Sequence, residues 1–234
     1  MIRFPKLAGL HLLFLLTVTH YSSAQVNDDK LGTWYMYFWN TKLKNSSFGF
    51  QGDYQYRNWN IIGDLEQLLL RSGITYQPKN IPVKFTLGYG YILTGSYGSS
   101  RATSQESRIY QEALINQKLG ERFYLVHRFR FEQRFVQDQD VRTRYRYNIF
   151  VNIPLNKSVI ERGAVYIALY NEVFLNGQRF IGDGREVEIF DRNRTYAALG
   201  FGLVDGLNMQ LGIMRQTNDN YSKDQLQVSL HHTL

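Results

Sequence analysis

Residues 123–135 read F-Y-L-V-H-R-F-R-F-E-Q-R-F and alternate between two kinds of side chain. One set of alternate positions is mostly aromatic or aliphatic, whereas the other is mostly charged, with three arginines and a glutamate. A period of two residues is typical of a β-strand with one apolar face and one polar face. After the polar residues 137–140 the alternation resumes, with Arg142, Arg144 and Arg146 on one face. The stretch therefore predicts two neighbouring strands.

The two faces of such strands can be arranged in two ways. A soluble sheet buries its apolar face, whereas a membrane barrel turns its apolar face to lipid and encloses a polar interior. Length and composition allow both arrangements. The 234 residues make one domain or at most two, and 15% aromatic residues with 19 glycines suit a chain of many alternating strands.

Residues 1–24 differ from the rest of the chain. Arg3 and Lys6 precede an apolar run at 7–18, and the small residues Ser22 and Ala24 precede Gln25. This pattern predicts a secretory signal peptide over 1–24 and a mature chain over 25–234. The alternative is an uncleaved anchor, but the run is shorter than the ~20 residues that span a bilayer. Without cysteine, the exported chain has neither a lipid anchor nor disulfides.

From residue 25 onward, the sequence contains eleven segments of strand type, each close to the ~10 residues that a tilted membrane strand needs. They predict an all-β fold, an antiparallel transmembrane β-barrel of about twelve strands, with ten as the alternative. The even number follows because eleven antiparallel strands would start the first strand outside, although the chain arrives from the periplasm. A third option is that residues 25–31 thread the lumen. The predicted short turns are 119–121, 154–163 and 204–206, and the predicted outer loops are 94–105, 136–141, 176–188 and 216–223.

Charged residues of opposite sign interleave on the polar face. A tight turn centred near Gly120 predicts that Glu112 lies opposite Arg128, and the next hairpin predicts that Glu132 lies opposite Arg146. The predicted cluster facing the lumen comprises Arg108, Tyr110, Glu112, Arg128, Arg130, Glu132, Arg134, Arg144, Arg146, Glu172, Arg192 and Arg194.

This cluster supports two interpretations. Its arginines outnumber its carboxylates, which makes a lumen attractive to anions and predicts a narrow, porin-like passive channel or a binding barrel for a small anionic solute. Alternatively, ion pairs fill a narrow barrel, whose lumen is then plugged. In that case the outer loops 94–105 and 176–188 would carry a structural or surface-interaction function.

Other function classes have weaker support. A nucleic-acid partner does not fit an exported chain, and the scattered acids and the three histidines of the mature chain predict no metal site. No cofactor is expected. Ser229 and His231 share one strand face, which leaves a lipid-modifying barrel enzyme as the remote alternative.

Four motifs in this order carry a family resemblance: H-R-F-R-F-E-Q-R-F at 127–135, R-Y-R-Y at 144–147, Y-N-E-V-F-L-N at 170–176 and F-D-R-N-R at 190–194. Together they resemble an uncharacterised family, a domain of unknown function, of outer-membrane β-barrel proteins common in the Bacteroidetes. The resemblance implies a barrel and an outer-membrane location, and it implies no activity. A protein at that location would have outer-membrane lipid and the barrel assembly machinery as partners. A soluble barrel or sandwich is the alternative.

Overall fold

The computed structural model describes residues 31–98 and 100–234, which form eleven β-strands. The predicted signal peptide and residues 25–30 lie outside the described residues. In the described part of the chain, no helix is long and apolar enough to cross a membrane. The strands are β1 Gly32–Lys42, β2 Phe48–Asn58, β3 Leu65–Tyr76, β4 Val83–Gly95, β5 Thr103–Leu119, β6 Phe123–Val136, β7 Arg142–Pro154, β8 Val165–Asn176, β9 Phe190–Val204, β10 Leu207–Thr217 and β11 Ser222–Thr233.

The strands close into a single barrel in which each strand pairs with its neighbours in sequence. All of these pairs are antiparallel except the closing pair, in which β1 and β11 run parallel from Gly32 opposite Gln225 to Asn40 opposite Thr233. The predicted strand number of about twelve, with ten as the alternative, rested on the expectation that the chain starts and finishes at the same end of the barrel, whereas β1 begins at one end and β11 finishes at the other. A parallel closing pair permits an odd number, so the eleven segments recognised in the sequence are the eleven strands of the barrel.

The barrel has two distinct ends. We call them the turn end, with connections 43–47, 77–82, 120–122, 155–164 and 205–206, and the loop end, with connections 59–64, 96–102, 137–141, 177–189 and 218–221. The predicted turns and loops lie at opposite ends, as expected, and 177–189 is the longest connection. Their contrast in length is weaker than predicted, because 155–164 exceeds 218–221 and because β4 and β5 extend into the predicted 94–105 loop.

The barrel wall has apolar side chains on its outer face and charged side chains on its inner face. Along β6, Phe129 is 48% exposed on the outside, whereas the adjacent Arg130 is only 7% exposed on the inside. The same holds around the barrel, where aromatic and aliphatic side chains form much of the outer surface. Exposed examples are Phe50, Tyr54, Leu87, Tyr145, Leu199 and Ile213.

Glycines on the inward face make room for inward aromatic rings. A Cβ atom at Gly88 would overlap the ring of Tyr110, and one at Gly200 would overlap the ring of Tyr166. Both tyrosines are buried. Crowding inside the barrel therefore explains the glycines that alternate with apolar residues in these strands.

The predicted register of two hairpins is wrong by two residues. Glu112 lies opposite Arg130 rather than Arg128, because the turn at 120–122 is centred on Glu121 and not on Gly120. Glu132 lies opposite Arg144 rather than Arg146, because the next hairpin is centred on residue 138. A slip of two residues leaves every side chain on its predicted face.

Candidate functional site

The structure brings the predicted cluster together on five adjacent strands. Its side chains point into the barrel, where most are buried, and Arg128 and Arg192 are partly exposed. On β5 they are Arg108, Tyr110 and Glu112; on β6, Arg128, Arg130, Glu132 and Arg134; on β7, Arg144 and Arg146; on β8, Glu172; and on β9, Arg192 and Arg194.

The half of the interior nearest the loop end is filled by ion pairs. Glu132 accepts Arg144 at 2.7 Å and Arg146 at 2.6 Å, and the guanidiniums of Arg108 and Arg130 lie 3.8 Å away. Nearer the loop end, the carboxylate of Glu106 receives Arg108 and Arg134 together, and Arg144 also reaches Asp191 at 3.0 Å. We call this set the ion-pair lattice: Glu106, Arg108, Glu132, Arg134, Arg144 and Asp191.

A buried aromatic ring supports the lattice. Phe174 on β8 lies beneath the guanidinium carbons of Arg146 at 4.5 Å, Arg194 at 4.7 Å and Arg144 at 5.3 Å. Cations over the ring face are attracted by its negative quadrupole. Packing around one ring therefore holds several arginines together, and their attraction to the ring offsets part of the repulsion among their positive charges.

The other half of the interior contains a cavity of about 430 Å³. Asn40, Asn116, Asn152 and Asn208 line it at the turn end, where their strands begin or finish. Of the ion-pair lattice, no member lines this cavity, although every strand of the described barrel contributes to its wall. The interior is therefore a cup that the lattice closes at the loop end and that reaches the turn end.

The wall of the cup carries more positive than negative charge. Seven basic side chains line it, against three carboxylates. The basic ones are Arg57, Arg71, Lys84, Arg128, Arg130, Arg146 and Arg194, and the acidic ones are Asp53, Glu112 and Glu172.

The three carboxylates are engaged by four of these arginines. Asp53 receives Arg71 at 2.7 Å. Glu112 receives Arg130 Nε at 2.7 Å. Glu172 receives both Arg128 at 2.7 Å and Arg146 at 2.6 Å. Buried donors remain even so, because Arg128 Nε and Arg130 Nη1 have no hydrogen-bond acceptor in the described structure.

Two further arginines of the cup meet at one aromatic ring. Arg57 was not in the predicted cluster, and Arg194 was in it without a predicted partner. Arg57 on β2 and Arg194 on β9 both stack on the indole ring of Trp34, with guanidinium carbons 3.7 and 4.8 Å from its centre. Among the described residues, neither forms a salt bridge with a carboxylate. The alternation in β2 placed Arg57 on the inward face, but no sequence pattern indicated that it would meet Arg194 across the barrel.

A family model described as Protein of unknown function (DUF2490) matches residues 31–227. The chain belongs to this family. The match runs from the start of β1 into β11 and so includes the whole ion-pair lattice and most of the residues that line the cup. Comparison with curated proteins gave no match, and comparison with solved structures gave none. The predicted resemblance to a domain of unknown function is thus confirmed, whereas the outer-membrane location stays a prediction.

For this family member, the enzyme alternative rests on Ser229 and His231. Their side chains are hydrogen-bonded at 3.0 Å inside the barrel, and the His231 ring stacks on Phe38. The pair therefore faces the cup and not the apolar outer surface of the barrel. No carboxylate of the described residues bonds to His231 to orient it as a base. Nor does the described part of the chain group three residues that could hold a metal.

Proposed function

We propose that the chain is an outer-membrane β-barrel that binds a small anionic solute in the cup. The observation that carries the proposal is the charge of the cup wall, with seven basic side chains against three carboxylates. Unbalanced positive charge on buried side chains is costly, and electrostatic attraction is stronger there than in bulk water. An anion in the cup would supply the missing negative charge.

The outer surface supports the membrane location. The strands are 11 to 17 residues long, which meets the ~9–11 residues needed for a tilted membrane strand. Aromatic and aliphatic side chains cover their outward faces, a pattern that suits lipid and would give a soluble barrel an unusually large apolar surface. The predicted signal peptide is consistent with export to this membrane.

The closed loop end favours binding over passage. A channel for solutes would need an open path between Arg108, Arg134 and Arg144, whose guanidiniums are buried in ion pairs. The cavity reaches the turn end instead. A solute would therefore enter and leave the cup by the same mouth.

Calorimetry on the folded protein in neutral detergent tests this function. At low ionic strength, where charges are least screened, we expect saturable binding of small oxyanions such as sulfate or succinate, weakened at least tenfold by Arg130→Gln. Arg215→Gln is the matched control, because Arg215 lies on the outer surface in a pair with Asp224. In planar bilayers the protein should give no steady conductance. The proposal fails if no oxyanion binds, and a steady anion-selective conductance would replace the cup with a channel.

The ion-pair lattice favours a second candidate, a structural barrel whose loops interact at the cell surface. In that case the interior serves stability alone, and the connections 96–102 and 177–189 carry the function. A chain with 177–189 shortened would then fail to rescue the phenotype of a deletion strain, whereas the Arg130→Gln chain would rescue it. The opposite pattern supports anion binding.

A further inference from the structure

We propose that Arg57 and Arg194, together with Trp34, form a specific subsite for an oxyanion that carries two negative charges. This inference rests on the proposed anion-binding function and specifies its ligand class. The subsite lies deep in the cup, where all three side chains line the cavity.

Neutral partners hold Arg57 in place. Its Nε and Nη2 atoms donate to Gln55 Oε1 at 3.1 and 2.6 Å, and Nη1 donates to Gln67 Oε1 at 2.8 Å. The side chain is 5% exposed, and its guanidinium stacks on Trp34. These contacts orient the charge, but amides do not neutralise it.

Arg194, on β9, is also held by a neutral amide and by aromatic rings. Its Nε atom donates to Gln216 at 2.8 Å, and its guanidinium packs against the rings of Trp34 and Phe174. It is 8% exposed. Two buried positive charges of fixed orientation therefore share one indole ring.

Among the described residues, no carboxylate forms a salt bridge with Arg57 or Arg194, although Glu66 lies near enough to attract Arg57 and Glu172 near enough to attract Arg194. Glu66 accepts Trp34 Nε1 at 2.9 Å and Gln225 at 3.3 Å, and Glu172 binds Arg128 and Arg146. By contrast, Arg71, Arg128, Arg130 and Arg146 of the same cup each have a carboxylate partner. Arg57 and Arg194 are thus the arginines of the cup without a salt bridge, and an anionic ligand could contact both of them directly.

The charge and the donors define the ligand class. Two guanidiniums favour one small ligand with two negative charges over two separate monoanions, which would repel each other in the same space. Tyr170 and Gln227, which are hydrogen-bonded to each other at 3.1 Å, line the cavity and offer a hydroxyl and an amide to further ligand oxygens. Sulfate represents the tetrahedral form of this chemistry, and succinate represents the dicarboxylate form.

Trp34 fluorescence provides a direct readout of this subsite. The chain has three tryptophans, so a Trp39→Phe and Trp59→Phe background leaves Trp34 as the single indole. We expect saturable changes in its emission on titration with sulfate or succinate, and an affinity at least tenfold lower for acetate at equal ionic strength. Comparing sulfate with succinate distinguishes the tetrahedral from the dicarboxylate form.

Substitutions then localise the binding. Arg57→Gln and Arg194→Gln should each lower dianion affinity at least tenfold, whereas Arg215→Gln should not change it. If calorimetry detects dianion binding that both variants retain, the subsite is overturned and the general anion-binding function stands. If the wild-type protein binds no anion, both fail. The comparison of sulfate with acetate needs no arginine variant, so equal affinities for the two would overturn the inference even if those variants do not fold.

Discussion

At the scale of single residues, Glu132 is the centre of the ion-pair lattice. It is 1% exposed and lies within 4 Å of four guanidiniums, two of them in direct contact at 2.7 and 2.6 Å. A buried ion pair adds little net stability compared with apolar packing, but removing one partner leaves charges that neither water nor protein compensates. Each of these arginines also contacts a second carboxylate, so Glu132 matters chiefly because all four share its negative charge.

Glu132→Gln keeps the shape of the side chain and removes its charge. We expect it to lower the free energy of unfolding by about 3–5 kcal/mol, because it leaves buried guanidiniums facing one another. Denaturant titration of the folded protein in detergent, followed by electrophoretic mobility without heating, measures this change.

The control for this experiment is Glu161→Gln. Glu161 pairs with Lys157 at 2.9 Å in the connection 155–164, where both side chains are exposed to solvent. Exposed pairs contribute about 0–1 kcal/mol. Equal effects of the two substitutions would show that the interior is hydrated enough to tolerate unpaired arginines, and the lattice would then have no special structural role.

At the scale of elements, the pairing of β1 with β11 could not be predicted from the sequence. Alternation in a single segment predicts a strand and its two faces, which is why the strands and the inward position of Arg130 were predictable. Hairpins relate only consecutive strands, and they are antiparallel. No local sequence pattern predicts that the second neighbour of β1 is β11, or that the two strands run parallel. The strand number was predicted as even because the chain was expected to start and finish at the same end, and only the structure shows the parallel pair that accompanies an odd number.

The same limit applies to the candidate site. Turn length decides register, and an error of one residue in the centre of the 120–122 turn moved the predicted partner of Glu112 by two positions. The meeting of Arg57 with Arg194 at Trp34 depends on closure of the whole barrel. Sequence therefore predicts which side chains point inward, whereas their partners require the three-dimensional structure.

A disulfide trap tests the parallel closing pair. Tyr35 lies opposite Val228, and the chain has no cysteine of its own. We expect Tyr35→Cys combined with Val228→Cys to form a disulfide under oxidation, because facing residues of adjacent strands lie within the ~4.4–6.8 Å that Cα atoms span in disulfides. Non-reducing electrophoresis of the unfolded protein would detect the cross-linked loop by its faster migration.

The control pairs Tyr35→Cys with Leu226→Cys. Leu226 lies two residues along β11 and faces Thr33 instead, so its distance from residue 35 exceeds disulfide reach. Cross-linking of this offset pair in place of the facing pair would mean that the strands close in another register.

At the scale of the whole molecule, the apolar outer surface and the closed loop end together predict how the barrel would be oriented in the proposed outer membrane. The cup reaches the turn end and the ion-pair lattice closes the loop end. In bacterial outer-membrane barrels, short turns face the periplasm and longer loops face outward. The same orientation in this chain would place the mouth of the cup in the periplasm, and the solute would then be bound from inside the cell envelope.

Cysteine labelling on intact cells tests this orientation. Glu186 is exposed in the connection 177–189 at the loop end, and Ser158 is exposed in the connection 155–164 at the turn end. We expect a membrane-impermeant maleimide to label Glu186→Cys on intact cells, but to label Ser158→Cys only after the outer membrane is permeabilised. The unsubstituted chain has no cysteine and is the blank for both. Labelling of Ser158→Cys alone would reverse the barrel and turn the cup outward. A soluble periplasmic barrel would have both ends inside the envelope. In that case neither cysteine would react before permeabilisation and both would react after it. That result would overturn the outer-membrane proposal.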